Sequence, residues 1–178
     1  MQKPLLVFSL ALAAVTLACG SDTTPPPVSK IITFEGPLSP NNENPPITTS
    51  QGTGTFKITL DTSTNVLTWD VSVSGLTSNI NNGHIHGPAL VNVNTGVLLN
   101  FNPQNATQGI PGSSFSGFGT APSGRAQGTF TLTSALLPGS STNTGDSLKK
   151  WLLAGMTYVN VHTVNNSGGE VRAQLVKP

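Results

Sequence analysis

Two runs of alternating residues, joined by five turn-formers, commit this chain to antiparallel β-structure. Along 53–60, Phe56, Ile58 and Leu60 take one face while Thr55, Lys57 and Thr59 take the other. Along 67–74, Leu67, Trp69, Val71 and Val73 alternate with Thr68, Asp70, Ser72 and Ser74. Side chains on a strand repeat every two residues, so each run has an apolar face to bury and a polar face to leave in water. Between them, Asp61-Thr-Ser-Thr-Asn65 supplies side chains that bond back to their own backbone in turns. The two runs predict a hairpin.

One hairpin cannot bury its own apolar face. Further strands are predicted over 31–35, 84–87, 96–101, 128–132, 156–163 and 170–176, a spacing that suggests two packed sheets or a barrel. Residues 102–127, rich in Gly, Ser and Pro and carrying Phe115, Phe118 and Arg125, read as a long loop with some strand pairing. Only 145–154 has helical spacing, through Leu148, Trp151 and Leu152, with Gly155 placed to end the turn. The expected class is all-β: an antiparallel Greek-key sandwich or barrel with one short helix that crosses between sheets.

The chain begins with the tripartite pattern of a secretory signal. Lys3 supplies a positive charge, and an almost unbroken apolar run over 5–17 is closed by small residues. That run is shorter than the roughly twenty apolar residues needed to cross a bilayer. It ends at Thr16-Leu-Ala-Cys19, followed by glycine, which resembles a bacterial lipobox. A lone cysteine in an exported protein lacks a disulfide partner, and lipidation of Cys19 would account for it. Residues 1–18 then form a lipoprotein signal peptide, and 19–29, with Pro25-Pro-Pro27, form a lipidated and stiff tether. Residues 30–178 form one domain, anchored at the bacterial cell envelope through a membrane lipid rather than spanning the membrane. A formal net charge of +1 with few charged residues argues against nucleic-acid binding, which needs clustered Lys and Arg.

All three histidines fall in two strand-like segments. Strand phase puts His84 and His86 on one face with Ile85 on the other. In the second segment Tyr158, Asn160 and His162 share a face opposite Val159 and Val161. If the strands are neighbours, one surface carries three imidazoles, a donor set that suits copper, zinc, iron or nickel. The competing reading has the rings bonding loop carbonyls and closing the sheet end. Glu43 and Glu170 are candidates to orient a histidine, or else turn caps or partners of a nearby cation. Arg172 shares strand phase with Glu170 and Gln174, which a solvated polar face would also explain. Trp69 and Trp151 read as core, and Asp61 and Asp70 as turn and surface residues. No Gly-X-Ser-X-Gly elbow and no phosphate-cradling glycine loop is present, so catalytic residues of those kinds are not assigned.

Several segments occur in a recognisable order: Leu38-Ser-Pro-Asn-Asn-Glu43-Asn-Pro45-Pro46, Gly52-Thr-Gly-Thr-Phe56, Leu67-Thr-Trp-Asp-Val71, His84-Ile-His86-Gly-Pro88-Ala89, Leu153-Ala-Gly155-Met-Thr-Tyr158-Val-Asn160-Val-His162-Thr163 and Gly168-Gly169-Glu170-Val-Arg172-Ala-Gln174-Leu175. Together they resemble the CHRD domain, named from chordin, over essentially all of the mature domain. The resemblance implies an extracellular β-sandwich module and does not fix a ligand. More distantly, the order of His-X-His, Val-X-Val-His, glycine-rich turn and arginine-bearing strand is similar to copper-zinc superoxide dismutase. That comparison implies His84, His86 and His162 as copper ligands and Arg172 as an anion-facing residue, within an immunoglobulin-like or dismutase-like sandwich. The chain has no fourth histidine for a bridged zinc and no disulfide, which leaves a mononuclear site.

Two functions follow as expectations. One is an exported lipoprotein serving as an extracytoplasmic binding module for a protein or polysaccharide. The other is a mononuclear copper-binding protein, with zinc the lesser choice, whose affinity falls below about pH 6 as free histidine protonates. A copper-dependent redox activity on the same site is a third, for which the sequence names no substrate pocket.

Overall fold

The hairpin forms where the alternation places it. In the computed structural model, which describes residues 30–104 and 107–177, strand β1 (Ile31–Leu38) leads into a 3-10 turn at Pro40–Asn42. Strands β2 (Thr53–Asp61) and β3 (Val66–Ser74) follow, with Phe56 opposite Val71, Ile58 opposite Trp69 and Leu60 opposite Leu67. The turn uses Asp61, whose Oδ1 accepts from Ser63 N at 2.9 Å and Ser63 Oγ at 2.6 Å. Asp70 lies at the surface, where it accepts from Arg125 Nε at 2.7 Å.

The remaining elements are β4 (Ile80–His86), β5 (Val97–Asn100), β6 (Ser114–Ser116), β7 (Gly124–Thr131), α1 (Gly145–Leu153), β8 (Tyr158–Thr163) and β9 (Val171–Gln174). They make two antiparallel sheets, ordered β1-β2-β3-β7-β6 and β5-β4-β8-β9. The chain changes sheet from β3 to β4, back from β5 to β6 and again from β7 to β8, and β3 neighbours β7 while β4 neighbours β8. These interlocked crossings tie the two layers together in Greek-key fashion. The core lies between the layers: Phe34, Ile58, Leu67 and Trp69 face Ile85, Leu99, Val159 and Val161, all at most 1% exposed. Each such burial contributes about 1.5–3 kcal/mol. Trp69 stacks on Phe101 with ring centres 5.5 Å apart, while Trp151 is half-buried and packs on the core's margin.

The helix begins at Thr144, whose hydroxyl accepts from Ser147 N at 3.1 Å, and it closes before Gly155 at φ +70°. It lies in the crossing from β7 to β8. Several boundaries differ from the sequence pattern, and two of the differences have a clear physical reason. Strand β4 starts at Ile80, four residues ahead of His84, because pairing with β8 carries Asn82 and Gly83, which are poor strand-formers, into the ladder, with Asn81 at a register shift between Ile80 and Asn82. Strands β6 and the start of β7 fall inside 102–127, where Ser- and Gly-rich backbone pairs without an apolar alternation to announce it.

The predicted signal peptide, Cys19 and the Pro25-Pro-Pro27 tether lie outside the described residues. Among the described residues, no helix is long and apolar enough to cross a membrane.

Candidate metal centre

The two histidine segments are neighbouring strands. Register sets His84 opposite Asn160, His86 opposite Tyr158 and Asn82 opposite His162, and Asn160 in turn lies opposite Arg172 on β9. Ile85, Val159, Val161, Val171 and Ala173 point into the core, so the polar set occupies the outer face of the smaller sheet. A register shift between Ile85 and His86, where β4 pairs with β5, re-aims His86 at the end of its strand.

That outer face is not solvated. Ser39 bridges to Arg172, and the segments around Glu43, Thr95 and Ser167 lie over the sheet, leaving His84, His86 and His162 at most 8% exposed. The ring centres are 4.8 Å apart for His84 and His162, 5.2 Å for His84 and His86, and 6.0 Å for His86 and His162. One ring nitrogen from each lies within 4.8 Å of the others.

Hydrogen bonding selects which nitrogens face inward. His86 Nδ1 donates to the Thr95 carbonyl at 2.9 Å, which leaves Nε2 carrying a lone pair, buried and without a partner. His162 Nδ1 lies 2.8 Å from the Ser167 carbonyl, and its Nε2 lies 3.0 Å from His84 Nδ1 and 2.9 Å from Asn160 Oδ1. With the Asn160 amide nitrogen turned to Glu43, no neutral tautomer of His162 satisfies this arrangement. A proton on Nδ1 suits Ser167 but sets the Nε2 lone pair against Asn160 Oδ1. A proton on Nε2 suits Asn160 but sets the Nδ1 lone pair against the Ser167 carbonyl. A cation at the convergence of His84 Nδ1, His86 Nε2 and His162 Nε2 removes the conflict.

Protonation is the other way to supply positive charge, and the site resists it. Burial, then the adjacent His162 and His86, lower His84 to about 2. Burial lowers His86 to about 4 against the pull of the Thr95 carbonyl, and it lowers His162 against that of Ser167. The rings stay neutral, and so able to ligate, well below the pH 6 expected for free histidine.

Three other sequence candidates resolve differently. Glu43 is buried beside the centre and accepts from Asn160 Nδ2 at 3.4 Å; burial raises it to about 7 against Arg172 and Asn160. Glu170 orients no histidine and lies on no solvated face. Its carboxylate is fully buried and accepts from Ser50 Oγ at 2.6 Å, Thr77 N at 2.7 Å, Thr77 Oγ1 at 2.8 Å and Thr163 Oγ1 at 2.5 Å. Burial pushes this carboxyl up, but those hydrogen bonds outweigh it and hold Glu170 below its ordinary value. Arg172 is 2% exposed, so a solvated face does not fit it. Its guanidinium lies 3.4 Å over the Tyr158 ring and donates to Asn94 Oδ1 at 2.8 Å and the Val93 carbonyl at 2.9 Å.

Asn160, Thr95 and Ser167 escaped assignment from sequence. The strand phase that grouped Asn160 with His162 was the available signal for the first. Backbone carbonyls from loops carry no signal of their own.

No curated protein and no solved structure matches the chain. A family model described as the CHRD domain matches residues 34–175, from the inward-facing Phe34 of β1 to Leu175 just beyond β9. The matched span contains both sheets and every residue of the histidine centre, and the chain belongs to the CHRD domain family.

Proposed function

We propose that this CHRD domain is an extracytoplasmic binding module whose ligand is a single transition-metal ion, copper in preference to zinc. The observation that carries the reading is the buried, unpartnered Nε2 of His86 in a cluster where His84, His86 and His162 can each offer a ring nitrogen within 4.8 Å of the others. A buried polar atom without a partner costs about 1–3 kcal/mol, a penalty that coordination removes. Imidazole donors bind copper(II) more tightly than zinc in the ordinary divalent series. The apolar run before Cys19 supports export and lipid anchoring, with the metal centre held outside the cytoplasm.

Metal analysis of protein purified without chelators, followed by titration with copper and zinc, tests the reading. We expect one ion per chain, and loss of tight binding in His86→Ala. Failure to bind either metal tightly, or unchanged affinity in His86→Ala, would overturn it. For the anchor, Cys19→Ser is expected to move the protein from the membrane fraction to the soluble fraction; retention in the membrane would refute lipidation at that residue.

A further inference from the structure

Three imidazoles leave a four-coordinate ion one donor short. Asn160 stands two residues before His162 on β8 and opposite His84 on β4, so it shares the ligand face. It is 1% exposed. Its Oδ1 lies 2.9 Å from His162 Nε2, a spacing close to the 3.0 Å between His162 Nε2 and His84 Nδ1. Donor atoms around a tetrahedral ion with bonds near 2.0 Å lie about 3.3 Å apart, so Asn160 Oδ1, His162 Nε2 and His84 Nδ1 need only a few tenths of an ångström of spreading, while the ligand nitrogens of the three histidines lie within 4.8 Å of one another.

An amide can turn either end toward a metal, and only its oxygen is a useful donor. Here Asn160 Nδ2 donates to Glu43 Oε1, which points Oδ1 at the histidines. Glu43 follows directly on the 3-10 turn at Pro40–Asn42, whose end is fixed by the Glu43 N–H bonded to the Pro40 carbonyl at 3.2 Å. Gly169 allows this approach, since a Cβ there would run into both Asn160 Nδ2 and Glu43 Oε1. Glu43, one hydrogen bond away, holds the amide without entering the shell.

Resting on the three-histidine reading above, we propose that Asn160 Oδ1 is the fourth metal donor and Glu43 its positioning residue, forming a closed set of three nitrogens and one oxygen that favours a divalent ion. The amide oxygen is a hard donor. It adds affinity for copper(II) or zinc(II) and little for copper(I), which prefers softer ligands.

The test is titration of the purified protein with copper(II) and copper(I), together with electron paramagnetic resonance of the copper(II) form. Asn160→Ala is expected to weaken copper(II) by about tenfold or more, to alter the g and hyperfine values, and to leave copper(I) affinity nearly unchanged. Asn160→Asp keeps the shape and supplies a carboxylate oxygen, so it should bind copper(II) with a spectrum distinct from the wild type. Glu43→Ala should weaken copper(II) and broaden its spectrum, and Glu43→Gln, which retains an oxygen acceptor for the amide, should restore both in part. Wild-type affinity and spectrum in Asn160→Ala, or a wild-type spectrum in Asn160→Asp should the alanine variant not fold, would overturn the assignment while leaving the histidine site standing. Absence of copper binding by the wild type would remove both.

Discussion

The rings of His86 and Tyr158 lie parallel, with centres 4.7 Å apart and planes within 3° of each other. Arg172 covers the other side of Tyr158, so a three-layer stack runs across β4, β8 and β9. The far ends of the stack are tied to one loop: His86 Nδ1 bonds the Thr95 carbonyl, and Arg172 bonds Val93 and Asn94. Stacking fixes the plane of the imidazole and the loop fixes its tautomer. The buried arginine therefore braces the His86 ring through the stack rather than presenting its charge to solvent.

Arg172→Lys is expected to keep the charge and lose the effect. A lysine has no planar group to lie on Tyr158 and no fork to reach both Asn94 and Val93. We expect a loss of about 2 kcal/mol in chemical unfolding, with faster amide exchange at Asn94 and Thr95. Wild-type stability and exchange in this variant would show that the stack does not brace the loop.

The depressed histidines make folding pH-dependent with a definite sign. Unfolded imidazoles take up protons near pH 6.5, whereas His84 and His86 in the fold resist until about 2 and about 4, and His162 is also lowered. Below the unfolded value the unfolded chain binds more protons, so stability falls as pH drops. Glu43, raised to about 7, works in the opposite direction between that value and its unfolded one of 4.5, holding a proton the unfolded chain has lost. Three imidazoles outweigh one carboxyl. Metal-free protein is expected to lose ~2 kcal/mol or more between pH 7 and pH 5 in urea unfolding. A flat or rising profile would contradict neutral buried rings.

Glu170→Gln should destabilise the domain far more than a surface change. The carboxylate accepts from donors on four segments, and an amide there presents N–H groups to some of those donors. Breaking such a buried charged network costs about 3 kcal/mol or more. None of the hydrogen bonds of Glu170 goes to a histidine, so copper affinity at a temperature where the variant is folded should stay near the wild-type value. Thermal unfolding and metal titration on the same sample separate the two effects.

What was legible in the chain and what was not follow from where each signal is written. Phe56, Ile58, Leu67 and Trp69 declared their faces because one side of each strand is core, and the register of β2 and β3 followed. His84, His86 and His162 could be placed on one face by phase alone. The same polar alternation suggested a solvated surface for Glu170 and Arg172, because a sequence does not show which loops fold back over a sheet. The cover comes from the segments around Glu43, Asn94 and Ser167, distant in sequence from the strands they bury. The pairing of β6 with β7 was hidden for a related reason: apart from Phe115 its residues on β6 are polar, and the ladder forms because β7, paired with β3 along one edge, offers its other edge.

Gly169 and Gly168 provide a matched pair for testing that cover. Gly169 adopts φ +123°, a conformation L-residues rarely take, and a Cβ there would collide with Asn160 Nδ2 and Glu43 Oε1. Its neighbour Gly168 has nothing within 4 Å of where a Cβ would sit. Gly169→Ala is therefore expected to lose about 1–3 kcal/mol of stability through backbone strain. It should also weaken copper(II) binding, because Glu43 and the amide it holds must move apart. Gly168→Ala should stay within about 0.5 kcal/mol of the wild type and bind copper(II) as the wild type does. Unfolding curves and copper(II) titrations of the two variants decide the matter: equal behaviour of the pair would mean that the contact between Glu43 and Asn160 is not what Gly169 protects.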